Sequence, residues 1–255
     1  MSKEASEMTF WEHLDVLRSS LIRMVLAAVG AAIVAFALKE ELFALVLAPK
    51  QNDFFLWRLL GAEPFELPLI NTELTEQFMI HLRMSLIAGI LVASPYIIYL
   101  LFRFIAPALY ENERRASVSV TAGAYGMFIV GVVINYVLVF PLTVRFLGTY
   151  QVSEEVTNLL TLSSYVDTML MTSLLFGIVF EIPIVCWLLA RFGLLKAKWM
   201  TRYRRHAVVA ILIISAIITP TGDMFTLMIV ALPIWLLYEG SILIVRRTAK
   251  RRPTT

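Results

Sequence analysis

The sequence is poor in the residues and motifs that enzymes and disulfide-rich proteins use. Among 255 residues there is one cysteine, Cys186, which excludes an intrachain disulfide and a multi-cysteine metal site. The three histidines, His13, His81 and His206, are isolated, and no HExxH, GxSxG or P-loop motif occurs. We therefore predict no enzymatic activity, no catalytic residue, no metal site and no cofactor.

Charge is scarce as well. Charged residues make up 16% of the chain and hydrophobic residues 59%, with a mean hydropathy of +0.79. A typical soluble domain carries about 25% charged residues. Long apolar runs alternate with short charged segments, so we predict an all-α, polytopic membrane protein that forms a single transmembrane domain over residues 1–255.

Six apolar segments are candidates for transmembrane helices. An amphipathic helix over 8–20 should precede them, and a basic tail over 245–255 should follow. The predicted spans are 21–38, 78–102, 116–140, 164–190, 207–219 and 224–244.

The last two predicted spans are short. Ala207 to Thr219 is 13 residues, and Met224 to Tyr238, before Glu239 restores polarity, is 15 residues. Thirteen helical residues cover roughly 20 Å of a hydrocarbon core that is about 30 Å thick. Either these helices are buried in the bundle, or the bilayer beside them thins to meet them.

Basic residues predict the orientation. With the N-terminus inside, 17 of the 22 lysines and arginines lie on the cytoplasmic side, where positive charge is retained. We therefore predict that both termini are cytoplasmic. Anchoring against anionic lipid headgroups explains the basic flanks, so no nucleic-acid partner is expected.

Acidic residues divide into an outer and an inner group. Those of the long first outer loop, such as Glu73 and Glu76, are expected to be solvated. The inner acids include Glu12, Asp15 and Glu113. Alternative roles are open for two of them: Glu12 could close a capping box with Thr9, and Glu113 could pair with the neighbouring arginines.

Glu181 lies inside the apolar run "LLFGIVFEIPIVCWLL". A charge at mid-bilayer costs roughly 2.5 to 3.5 kcal/mol on insertion scales, so such an acid is a functional candidate. Pro183 should free a backbone carbonyl in the same turn and keep that region polar. The alternative is a protonated acid that is hydrogen-bonded to a neighbouring helix.

Several segments together resemble the TatC family, the receptor subunit of the twin-arginine protein translocase. "FWEHLDVLR" is similar to the family pattern EHLxELR, and "ASPYIIYLLFRFIAPALYENERR" is similar to SPxxxYQxWxFxxPALYxxERR. "FGIVFEIPI" is similar to FGxxFExP, and "ITPTGDMFT" with "LYE" to the closing TPxxD and LYE elements. The resemblance extends over residues 8 to 240 in the family's order.

One position departs from the family pattern. Val16 stands where the family usually has glutamate, and Asp15 precedes it. On a helix, Glu12 projects from nearly the same face as Val16, whereas Asp15 is rotated by about 100 degrees. Glu12 is therefore expected to be the better substitute.

The resemblance implies a receptor in the bacterial cytoplasmic (inner) membrane that binds twin-arginine signal peptides of folded precursor proteins. It would form a homo-oligomer within a larger complex that contains single-span TatA and TatB subunits, and would draw on the protonmotive force. Guanidinium groups need carboxylates that face the cytoplasm.

The resemblance assigns roles to three sets of residues. The signal-peptide set is Glu12, Asp15, Arg18, Pro107, Tyr110 and Glu113; the intramembrane docking set is Glu181 and Pro183; and the other motif positions are Pro95, Pro220, Asp223 and Glu239.

The alternative function is a proton- or ion-coupled secondary transporter of a small solute, in which Glu181 would titrate. Such transporters usually show inverted repeats and paired broken helices. Neither feature is visible in the sequence.

Overall fold

The structure is a computed structural model and describes residues 10–51, 53–61, 67–105, 114–151, 153, 159–219 and 222–250. In that part of the chain, the regular structure is helical except for one pair of two-residue strands. The elements are α1 Phe10–Ala37, α2 Lys39–Leu47, a 3-10 turn Ala48–Lys50, α3 Phe55–Leu60, β1 Leu69–Ile70, α4 Glu76–Ile105, α5 Arg114–Ile134, a π-helical turn Asn135–Val139, α6 Phe140–Thr149, β2 Leu160–Thr161, α7 Leu162–Val179, α8 Ile182–Arg191, α9 Ala197–Arg202, α10 Arg204–Ile218 and α11 Met224–Lys250.

Five helical segments of the described chain are long and apolar enough to cross a membrane. They are Leu14–Ala37, Glu76–Phe104, Val120–Thr149, Leu162–Arg191 and Met224–Thr248. The all-α polytopic class is thus confirmed. The predicted span 207–219 falls in α10, which has 15 residues and is not among the five; a count of six spans and the cytoplasmic side of the termini stay predictions.

Two predicted boundaries differ from the observed helices. No break separates the amphipathic segment 8–20 from the first span, because α1 is continuous from Phe10 to Ala37. The prediction of a short last span is wrong for the helix, since α11 runs for 27 residues through Glu239. Glutamate is a good helix former and does not end a helix. The Glu239 carboxylate accepts a 2.6 Å hydrogen bond from Arg204, which compensates its charge.

The predicted span 164–190 consists of two helices, α7 and α8. Phe180 and Glu181 form the turn between them, and Pro183 lies in the first turn of α8. Proline has no amide hydrogen and cannot donate to the carbonyl four residues earlier, so the helix breaks at this point.

The chain forms two compact units, of which the first comprises residues 1–38 and 85–125. In it, α1 packs against α4 through small residues. A Cβ atom at Gly89 would lie 2.6 Å from both the carbonyl oxygen of Ala28 and the amide nitrogen of Ala32. Glycine lets the two backbones approach closely, which is how helices associate in membranes.

The second unit comprises residues 39–84 and 126–255. Its core joins the π-helical turn, α7, α10 and α11. A Cβ at Gly131 would lie 2.6 Å from the carbonyl oxygen of Phe176, and one at Gly177 would lie 2.5 Å from the ring of Phe128. The buried residues of this core are Val139, Phe176, Phe180, Ile211, Ile218, Val230, Ala231 and Ile234.

Glu76 organises the outer loops of the second unit. Its carboxylate accepts hydrogen bonds from the Thr72 amide at 2.7 Å, the Glu73 amide at 3.2 Å and the Ser163 amide at 3.1 Å. The prediction that this acid is solvated is wrong, because the residue is only 6% exposed. Its bonds tie the start of α4 to the start of α7, beside the parallel pair of β1 and β2.

Candidate functional site

The N-terminal part of the predicted peptide site lies on α1. The backbone of Glu12 is helical, and its side chain lies outside the described part of the structure. Asp15, Val16 and Arg18 are exposed. Among the described side chains near the start of α1, Asp15 is therefore the exposed carboxylate that could bind a peptide arginine.

A cavity of about 520 Å³ lies between this end of α1 and the last turns of α4. Asp15 and Val16 both line it. The expectation that Glu12 is the better substitute for the family's glutamate stays a prediction. Its lining residues are Asp15, Val16, Ser19, Ser20, Arg23, Leu100, Arg103 and Phe104.

Three further members of the predicted peptide site lie in the segment between α4 and α5. Pro107, Tyr110 and Glu113 lie outside the described residues, between the end of α4 at Ile105 and the start of α5 at Arg114. Their roles as peptide ligands remain predictions.

Glu181 occupies the turn between α7 and α8, with φ −73° and ψ −12°. Its side chain is partly buried, and its Oε1 is buried without a hydrogen-bond partner among the described residues. The alternative in which this acid bonds to a neighbouring helix is therefore not seen for Oε1. Pro183 is buried at the start of α8 and leaves the carbonyl of Val179 without its usual helical donor.

Of the remaining family-motif positions, Asp223 and Glu239 have hydrogen-bond partners in the structure. Asp223 precedes α11 and accepts a 2.7 Å hydrogen bond from the Thr226 amide, the geometry of an N-cap. Glu239 pairs with Arg204, and Pro95 lies exposed inside α4. Pro220 lies outside the described residues.

A buried polar group around Asn135 was not predicted from the sequence. This residue is fully buried at the start of the π-helical turn, and its Nδ2 donates to Thr172 Oγ1 at 3.1 Å and to Ser173 Oγ at 2.9 Å. Its Oδ1 has no partner among the described residues. An asparagine inside an apolar run was the signal, and π-helical turns are frequent at functional sites.

An ion pair between α4 and α7 was missed as well. Arg83 Nη1 lies 2.7 Å from Asp167 Oδ2, and the Ser163 hydroxyl donates to the same oxygen at 3.2 Å. The sequence gives no local signal for it, because the partners are 84 residues apart. The described residues contain no group of three or more histidine, cysteine or acidic side chains that could hold a metal ion.

Comparisons with known proteins converge on one family. The family model described as Sec-independent protein translocase protein (TatC) matches residues 12–233. A Sec-independent protein translocase protein TatC from Blattabacterium is 32% identical, with 99% of this chain and 100% of that protein covered. The TatC of Aquifex aeolicus is also 32% identical, with 96% of this chain and 98% of that protein covered.

A solved structure is similar over almost the whole chain. The crystal structure of the twin arginine translocase receptor TatC superposes with a TM-score of 0.78 at 33% identity. The superposition covers 93% of this chain and 99% of that one. The shared fold therefore includes nearly all of both proteins.

Proposed function

This chain belongs to the TatC family of Sec-independent protein translocase proteins, and on that premise we propose that it is the receptor and core subunit of a twin-arginine translocase. It is a multi-pass protein of the bacterial inner membrane. The observation that carries the proposal is the family match, which extends over residues 12–233. The receptor would bind the signal peptides of folded precursor proteins at the cytoplasmic face.

Carboxylates at the cytoplasmic ends of the first spans would bind the two peptide arginines. A guanidinium group and a carboxylate form paired, charge-assisted hydrogen bonds. Glu113 would supply one carboxylate, and Asp15 or Glu12 the other. The exposure of Asp15 and its position on an open cavity support its inclusion; Arg18, Pro107 and Tyr110 would shape the same surface.

Glu181 and Pro183 would form a docking point for a transmembrane helix of a TatA- or TatB-type subunit. The unpartnered Oε1 of Glu181 supports this role, because a buried oxygen without a hydrogen bond is costly in a membrane interior. A polar side chain on the partner helix would satisfy it. Copies of this chain would assemble with these subunits in one complex.

The energy for export would come from the protonmotive force. The sequence has no P-loop that could bind a nucleotide, and we propose that the protein has no catalytic activity of its own. A membrane potential of 100 mV supplies about 2.3 kcal/mol for each elementary charge that is moved. The solute-transporter alternative has no support, because the relatives described above are all translocase proteins.

Binding of a signal peptide tests this function. Inner-membrane vesicles that contain the chain are incubated with a fluorescent twin-arginine signal peptide, and retention is compared with that of a twin-lysine version. Lysine keeps the charge but lacks the planar fork of arginine. We expect retention of the arginine peptide only. Equal retention of both peptides, or equal retention by vesicles without the chain, would refute the receptor role.

A further inference from the structure

Two arginines share the cavity between α1 and α4, and the proposed function does not use them. Arg23 lies on α1 and Arg103 lies in the last turn of α4, and both side chains line the cavity of about 520 Å³. Neither guanidinium pairs with a carboxylate among the described residues. Two cations in one cavity attract an anion.

The packing of the two helices places Arg23 and Arg103 at one cavity. Gly89 contacts Ala28 and Ala32, whereas the last turn of α4 faces the beginning of α1, so the two helices are antiparallel. Side chains on a helix lean toward its N-terminus. The side chain of Arg23 therefore leans toward the start of α1, and that of Arg103 leans back along α4. They approach the cavity from opposite ends.

The other lining residues fit a phosphate group that carries an apolar tail. Ser19 and Ser20 offer hydroxyl donors, and Val16, Leu100 and Phe104 offer apolar surface. A guanidinium fork matches the oxygens of a phosphate. The cavity lies at the ends of the apolar helical segments Leu14–Ala37 and Glu76–Phe104, the level at which lipid phosphates are concentrated.

We propose that this cavity is a binding site for the phosphate ester of an anionic phospholipid headgroup, held by Arg23, Arg103 and the serine hydroxyls. Asp15 at the same cavity reduces its charge from two positive to one, which a headgroup with one negative charge neutralises. Asp15 also belongs to the proposed peptide site, so a lipid and a signal peptide would compete for this cavity. Lipid binding is measured without peptide, so its failure can be distinguished from a failure of the receptor function.

Native mass spectrometry of the purified full chain in detergent measures the binding directly. The probes are phosphatidylglycerol and phosphatidylcholine with identical acyl chains. We expect one molecule of phosphatidylglycerol to bind at least about fivefold more tightly, since a basic residue at an anionic surface is worth about 1 kcal/mol. Equal affinity for the two lipids would overturn the proposal.

Variants locate the site. Arg23→Gln and Arg103→Gln should each weaken phosphatidylglycerol binding by about fivefold. The control is Arg246→Gln with Arg247→Gln, which removes two exposed positive charges from α11 and leaves the cavity intact. An equal loss in the control would show general charge attraction and refute the site.

A third variant guards against misfolding as an explanation. Ser19→Phe puts a bulky ring at the cavity, removes one hydroxyl donor and keeps both arginines. Ser19 is exposed, so the change leaves no buried defect. It should weaken phosphatidylglycerol binding as the arginine variants do. Retained binding by this variant would contradict the cavity as the site.

Soluble glycerol phosphate distinguishes a lipid from a free phosphate. It offers the same phosphate ester without acyl chains. At millimolar concentration it should not displace phosphatidylglycerol. Glycerol phosphate has no acyl chain that the apolar residues beside the arginines could contact. Full displacement would overturn the assignment to a lipid.

Discussion

At the residue scale, the account depends on a few carboxylates whose surroundings differ. Asp15 is exposed at an open cavity, Glu181 is partly buried in a helix break, and Glu76 is buried under backbone amides. Exposed carboxylates can bind a peptide arginine, whereas a buried one that already accepts several hydrogen bonds cannot. The three acids therefore have different proposed roles in one protein.

Glu113 gives the first prediction. Glu113→Gln keeps the shape of the side chain but removes the charge that a guanidinium group requires. Hydrogen bonds to charged groups contribute about 1.5 to 3 kcal/mol, so peptide affinity should fall about ten- to hundredfold. The peptide affinity is measured by crosslinking a twin-arginine peptide to the protein in membrane vesicles. Wild-type crosslinking with normally inserted protein would exclude Glu113 as a ligand.

Asp15 and Val16 give the second prediction. Both line one cavity, so a glutamate at position 16 can replace the carboxylate at position 15. Asp15→Asn should weaken peptide binding, and adding Val16→Glu should restore it.

Glu12→Ala provides the comparison for this pair. If Glu12 is the stronger ligand, as helical geometry suggests, its loss should weaken peptide binding more than the loss of Asp15. Unchanged peptide binding by both Asp15→Asn and Glu12→Ala would remove this helix from the peptide site. The same peptide-binding measurement serves all four proteins.

Glu181 gives the third prediction. Docking requires a hydrogen-bonding side chain, so Glu181→Gln should retain most assembly with the single-span partners, whereas Glu181→Leu should lose it. Copurification of the partners and export of a folded cargo are the two readouts. If Gln abolished export as completely as Leu while assembly stayed normal, a titrating role would replace the docking role.

At the element scale, the close contact of α1 and α4 depends on Gly89, which gives the fourth prediction. A Cβ there would lie 2.6 Å from backbone atoms of α1, which cannot move aside as a flexible side chain can. Gly89→Ala should destabilise the fold by about 1 to 3 kcal/mol, the usual cost of overpacking. Thermal unfolding in detergent should show a lower apparent Tm.

Gly30→Ala is the matched control for Gly89. It lies on α1, and a Cβ at this position meets nothing within 4 Å. Alanine also favours helix over glycine. Its apparent Tm should be equal to or above that of the wild type, and an equal fall in both variants would contradict the packing argument.

Most of the long helices could be predicted from the sequence, because a membrane span is recognised from one continuous apolar run. An apolar run of sufficient length is enough for α1, α4, α7 with α8, and α11, and Pro183 is a local signal for the break beside Glu181. Asn135 inside an apolar run signals a buried polar group, but the π-helical turn itself has no such local signal. The partners of Asn135, Thr172 and Ser173, are 37 and 38 residues away.

Long-range partners account for most of the site that sequence could not predict. Glu76 is buried because the Ser163 amide, 87 residues away, donates to it. The cavity that Asp15 and Val16 line depends on the position of α4, which the sequence of α1 does not encode. The family motifs predicted the candidate positions, whereas three-dimensional packing decided which of the described ones are exposed.

At the scale of the whole molecule, the helices that contain the last two predicted spans differ in length. α11 has 27 residues and α10 has 15, or about 40 and 22 Å at 1.5 Å per residue. The second is shorter than a hydrocarbon core of about 30 Å. The two explanations offered from the sequence, burial in the bundle and local thinning of the bilayer, therefore now apply to α10 alone.

Export by the intact protein tests the central claim most directly. A bacterial strain that lacks its own TatC-type receptor is supplied with this chain and matching single-span subunits, and the periplasmic amount of a folded fluorescent cargo is measured. The account predicts export when the cargo carries a twin-arginine signal peptide and none when both arginines are lysines. Equal export of the two cargoes, or no export of either by a correctly inserted receptor in an assembled complex, would contradict it.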